Sequence, residues 1–120
     1  MKKLFPLILV ALVATFALVS CAPSKEPISV GPNTLVIDVR TPTEYNEGHL
    51  EGAVNLDVKA PDFLILLGQL PTDGDYIVYC KSGNRSAQAT QVMTTKGFTN
   101  VTDAGSMQEA SSATGIPIVK

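Results

Sequence analysis

Residues 76–88 read YIVYCKSGNRSAQ, an apolar run that stops at Cys80 and gives way to small, polar and basic residues. The run YIVY over 76–79 suits a buried strand of a parallel sheet, which needs apolar side chains on both of its faces. Beyond it, Gly83 can adopt backbone angles closed to other residues, and from Arg85 to Lys96 the pattern turns helical. A strand, a short loop and a helix in this order point to an α/β fold. Cys80 then falls at the carboxyl end of a strand, where open α/β sheets put their ligand sites.

Working outward, LVIDV over 35–39 is a second β-branched run, and AVNL over 53–56 and NVTD over 100–103 are shorter strand candidates. Between them lie helical patterns over 43–47, over 62–70 with an interruption at Gly68, over 85–96 and over 107–111. Strands alternating with helices predict a central, mostly parallel sheet with helices on both faces. The chain has 120 residues, enough for one domain, and shows no internal repeat.

The first 20 residues are of another kind. Lys2 and Lys3 precede an apolar stretch from Leu4 to Val19, the layout of a bacterial export signal. The stretch is short for a membrane span and contains Pro6, so cleavage is expected rather than permanent insertion. Leu18, Val19, Ser20 and Cys21 resemble the lipobox of bacterial lipoproteins, in which the cysteine is diacylated and becomes the mature N-terminus. The resemblance implies a signal peptide over 1–20, lipid on Cys21 and an extracytoplasmic, membrane-anchored protein. Ala22 stands where an aspartate would retain a lipoprotein at the inner membrane of enteric bacteria, which favours the outer membrane; the expected location is the outer-membrane or periplasmic face or the cell surface. Residues 21–33, with Pro23, Pro27 and Pro32, read as the lipidated end and a flexible tether, which leaves 34–120 as the domain.

Formal net charge is −2, and losing Lys2 and Lys3 with the leader takes it to about −4, so there is no nucleic-acid footprint. Any cationic site must be local. The loop Lys81, Ser82, Gly83, Asn84 leading to Arg85 and Ser86 is one. Amides turned inward at a helix N-terminus bind anions, and Lys81 and Arg85 add full charges. A thiolate is itself an anion, so the same field is expected to lower the Cys80 pKa and activate the sulfur. A cation in the first turn opposes the helix dipole, which suggests that Arg85 is recruited for an anion. Lys81 serves equally well as an attractor of substrate or as an exposed side chain.

Cys80-Lys-Ser-Gly-Asn-Arg85-Ser resembles the active-site loop C-x-x-G-x-R-[ST] of the rhodanese family. Residues 37–56, IDVRTPTEYNEGHLEGAVNL, resemble the family's D-V-R…E-[FY]…G-H-[IL]-x-G-A run. Downstream, 96–101 and 105–119 resemble its G-[FY]-x-x-V and closing segments. The resemblance spans about 35–119. It implies a single-domain, three-layer rhodanese fold and a sulfurtransferase, with Cys80 accepting sulfane sulfur as a persulfide from thiosulfate or a similar donor. The acceptor would be cyanide or a thiol. Two departures stand out: Ala104-Gly105 replaces a glycine pair, and Ala110 stands where tryptophan is common, which puts packing in question.

A lone cysteine at a strand end is often a buried structural thiol, and the Gly83 and Arg85 context is what favours a nucleophile. Asp38, Arg40, Glu44, His49 and Glu51 invite an acid–base reading, yet His49 is expected to be a structural hydrogen-bonder. Asp38 and Arg40 are expected to brace the loops, with Glu44 in a supporting role. With Cys21 spent on lipid there is no second thiol for a disulfide relay. One histidine and one thiol do not build a closed metal site, so neither metal nor cofactor is expected. Tyrosine-phosphatase loops use C-x5-R, whereas four residues separate Cys80 from Arg85, which is tight for a phosphate ester. A tethered persulfide carrier or interaction module is the non-enzymatic alternative.

Overall fold

A computed structural model describes residues 26–120; the leader, Cys21 and the expectations placed on them lie outside the described residues. In chain order the elements are β1 (Thr34–Asp38), α1 (Pro42–Glu47), β2 (His49–Leu50), β3 (Val54–Asn55), α2 (Phe63–Leu67), β4 (Asp75–Cys80), α3 (Asn84–Thr95), β5 (Val101–Ser106), α4 (Met107–Thr114) and β6 (Ile118–Val119). Four strands form a wholly parallel sheet in the order β3-β1-β4-β5. β2 and β6 pair antiparallel as a separate two-stranded sheet.

Period-two alternation along β1 and β4 divides the core. Ile37, Val39, Tyr76, Val78 and Cys80 face one way and pack with Phe63 and Leu67 of α2 and Ala89 and Met93 of α3. Val36, Ile77 and Tyr79 face the other way, with Leu50, Ala104 and Ala110, and Tyr45 of α1 packs against them. The chain is therefore a three-layer α/β domain, with both faces of its sheet covered. Each large apolar side chain buried this way, such as Ile37, Leu50 or Ile77, stabilises the fold by about 1.5–3 kcal/mol.

Helix bounds differ from the sequence pattern where local chemistry intervenes. α1 starts one residue early because Pro42 follows Thr41, whose hydroxyl accepts the Glu44 N–H while the Glu44 carboxylate accepts the Thr41 N–H. α2 is shorter than the apolar stretch over 62–70 and gives way at Gly68. β5 runs on through Ala104 and Gly105 to Ser106, with a register shift opposite Val78 and Tyr79 that admits one extra residue. α4 extends to Thr114 and has its own capping box from Ser106 and Glu109.

Ala110 is fully buried in the second core cluster, and Ile28, Tyr45, Met107 and Ile116 pack around that cluster. Neighbouring side chains thus pack where the resemblance has a large ring. Ile28 belongs to the stretch expected as a tether, but its N–H donates to the Ala113 carbonyl at 2.9 Å. Contacts of the domain therefore begin before Thr34.

Candidate active site

Cys80 is the last residue of β4, and its side chain points to the sheet face covered by α3. It has no exposed surface. Gly83 precedes α3 with φ of 101°, a left-handed geometry that favours glycine, and this turns its N–H back onto the sulfur. That N–H donates to Sγ at 2.9 Å, and Ser86 Oγ lies 3.5 Å from Sγ. The Ser86 hydroxyl also donates to the Gly83 carbonyl at 3.0 Å. A Cβ on Gly83 would stand 3.8 Å from Gly105 Cα, so β5 closes the far side of the loop.

Burial alone pushes the Cys80 thiol up. Hydrogen bonds from the Ser86 hydroxyl and from the Ser86, Gly83 and Ser82 amides outweigh it, so the pKa lies below the ordinary thiol value. The sulfur is thus activated by a ring of neutral donors. Lys81, Ser82 and Asn84 are exposed around it.

Arg85 is held in a different way from the sequence expectation of a cation recruited for an anion. Its Nη1 and Nη2 donate to Glu44 Oε1 and Oε2 at 2.7 and 3.0 Å, a bidentate pair. Glu44 Oε1 also accepts from the Thr41 N–H and hydroxyl at 3.3 and 3.1 Å. Chiefly through Arg85, Glu44 is held well below the usual carboxylate range, at about 2. The carboxylate that caps α1 therefore also fixes the first turn of α3.

Asp38, Arg40 and His49 lie in a supporting network. The Asp38 carboxylate accepts from Arg40 Nη2 at 2.7 Å and from the Tyr79 hydroxyl at 2.8 Å. The Tyr79 hydroxyl in turn accepts the Leu50 N–H at 2.9 Å. Burial, together with the neighbouring Asp38 carboxylate, pushes the Tyr79 hydroxyl above the ordinary phenol range. His49 Nδ1 meets the Tyr45 carbonyl at 2.9 Å, where it must donate, and its ring stacks on Tyr45 at 3.8 Å between centroids. Glu51 is exposed.

Asn55 was missed by the sequence reading: its side-chain amide donates to the Asp38 and Arg40 carbonyls at 3.0 and 2.8 Å and pins the turn before α1. A polar residue inside the short strand run over 53–56 was the available signal. Tyr79 was missed as a polar bridge because its apolar neighbours made it look like ordinary core. Two hollows of about 310 and 380 Å³ lie between α2 and α3 around Leu64 and Lys96, and Cys80 lines neither.

A parallel α/β sheet that ends one strand in a cysteine under an amide-lined loop defines a thiol-based α/β protein. Residues 25–111 match the family model described as the Rhodanese-like domain. Thiosulfate sulfurtransferase PspE of Escherichia coli (strain K12) is 35% identical over 74 residues, covering 61% of this chain and 70% of that protein. Thiosulfate sulfurtransferase 16, chloroplastic, of Arabidopsis thaliana is 34% identical over 113 residues, covering 82% of this chain and 94% of the relative. A solved structure described as rhodanese with anions from E. coli superposes with a TM-score of 0.61 at 31% identity, covering 72% of this chain and 98% of that one. The chain belongs to the rhodanese-like family and is a rhodanese-like enzyme.

Proposed function

We propose that the protein is a sulfurtransferase in which Cys80 carries the transferred sulfur. The observation that supports this most directly is the Cys80 sulfur itself, set at a strand end with the Gly83 N–H at 2.9 Å and a lowered pKa. The thiolate attacks the outer sulfur of thiosulfate or a similar donor. An S–S bond forms to Sγ, the donor's own S–S bond breaks, and sulfite leaves with its electron pair. The negative charge moves from Sγ to the outer sulfur of the persulfide, where the amide-lined loop over 81–86 stabilises it. Cyanide or an acceptor thiolate then attacks the outer sulfur, giving thiocyanate or an acceptor persulfide, and the thiolate of Cys80 is regenerated. Because Cys80 has no exposed surface, donor access requires the loop over 81–85 to part.

Intact-mass measurement before and after thiosulfate tests this reading. A gain of one sulfur that cyanide removes, and that is absent in Cys80→Ser, is the expected result; no gain in the folded protein sinks it.

We place the domain on a membrane face outside the cytoplasm, on the strength of the sequence around Cys21. Two or more acyl chains make attachment stable. Loss of membrane fractionation in Cys21→Ser is the expected outcome, and unchanged fractionation refutes the anchor.

A further inference from the structure

Resting on the sulfurtransferase reading, we propose that Glu44 is a positioning residue that sets the charge of the preferred donor, selecting monoanionic sulfane donors over the thiosulfate dianion. The loop has two cations, Lys81 and Arg85. Arg85 is bound bidentately by Glu44, which answers its charge. Glu44 therefore cancels the Arg85 charge, which leaves Lys81 to face the thiolate. The cradle that meets the donor is built from neutral N–H and O–H groups around the anionic sulfur.

Arg85 is not free to turn towards a bound anion at no cost. Glu44 is itself fixed by the Thr41 N–H and hydroxyl, so the pair can separate only by breaking the two bonds between Arg85 and Glu44. A donor with one negative charge meets less repulsion from this centre than a donor with two. Methanethiosulfonate and thiosulfate both deliver a terminal sulfur, as a monoanion and a dianion respectively, and they isolate the charge.

Glu44→Gln removes the charge and keeps the capping box, in which glutamine serves as well as glutamate. One unit of charge at a half-exposed site beside the donor changes binding about fivefold per unit of donor charge. The KM for thiosulfate is expected to fall about fivefold more than the KM for methanethiosulfonate, with kcat changing less. Added salt is expected to shrink the difference. In Glu44→Gln/Arg85→Gln, where both charges are gone, the donor ratio is expected to return towards that of the unmodified protein. An unchanged KM ratio in Glu44→Gln, or equal shifts for both donors, overturns the proposal and leaves Glu44 a structural brace.

A second measurement separates this outcome from failure of the sulfurtransferase reading. If neither donor adds sulfur to Cys80, that reading falls. Sulfate, an unreactive dianion, still reports the charge of the cradle by protecting Cys80 from iodoacetamide. Protection at lower sulfate concentration in Glu44→Gln supports the proposal; equal protection, or none in either protein, overturns it.

Discussion

Arg85 and Glu44, 41 positions apart, meet through two parallel hydrogen bonds of 2.7 and 3.0 Å and so join the start of α3 to the cap of α1. A carboxylate with a depressed pKa stabilises the fold fully above its ordinary pKa, and loses that contribution as pH falls to its folded value. For Glu44 the window runs from 4.5 down to about 2. Glu44→Gln is expected to be less stable by about 0.5–1 kcal/mol at neutral pH. The gap should close between these two values, as followed by urea denaturation at several pH values. A gap that persists unchanged at the acid end would show that the charge is not what matters.

Removing the Ser86 hydroxyl takes away the strongest of the groups that lower the Cys80 pKa. In Ser86→Ala the midpoint of the iodoacetamide rate against pH should move upward, and alkylation near neutrality should slow about three- to tenfold. An unmoved midpoint would mean that the amides alone hold the thiolate.

Asp38 is fully buried and is the counter-charge of the buried Arg40. Breaking such a pair from one side leaves a charge without its partner, so Asp38→Asn should cost about 3–5 kcal/mol. Thermal denaturation reads this directly. Cys80 in the surviving folded fraction should keep its alkylation midpoint, because Asp38 faces the opposite side of the sheet.

Gly83 has space for a methyl group, with its nearest non-neighbour atom at 3.8 Å, but its φ is 101°. The cost of Gly83→Ala is therefore conformational, about 1–2 kcal/mol. Relaxation of the strain should swing the N–H away from Sγ and raise the midpoint of Cys80 alkylation. Lowered stability with an unchanged midpoint would show that the loop keeps its aim despite the strain.

The sheet was legible where the chemistry is local. Residues 35–39 and 76–79 are apolar on both faces, as the interior strands of a covered parallel sheet must be, and both form strands. β2 and β6 were not legible, because two-residue strands carry no period and exist only through the pairing of His49 and Leu50 with Val119 and Ile118. The loop from Cys80 to Ser86 stood out through its spacing and its resemblance. What it does with charge did not. The first-turn position of Arg85 speaks equally for an anion to be bound and for a carboxylate already present, and only the fold brings Glu44 to it. The Ala104-Gly105 departure was visible in sequence, but its place at a register shift in β5 depends on the partner strand β4.

The Ser86 hydroxyl has one proton and three acceptors within reach: the Gly83 carbonyl at 3.0 Å, the Gly105 carbonyl at 3.5 Å and the Cys80 sulfur at 3.5 Å. While the sulfur is a thiol, that proton rests on Gly83 and fastens the loop to the helix behind it. Once the sulfur is charged, a turn of a single O–H rotor redirects that hydrogen bond to it, while the Ala87 N–H still holds the Gly83 carbonyl at 3.1 Å. The anion therefore gains a donor without loosening the backbone that aims the Gly83 N–H at it, so the loop holds one shape while the charge comes and goes.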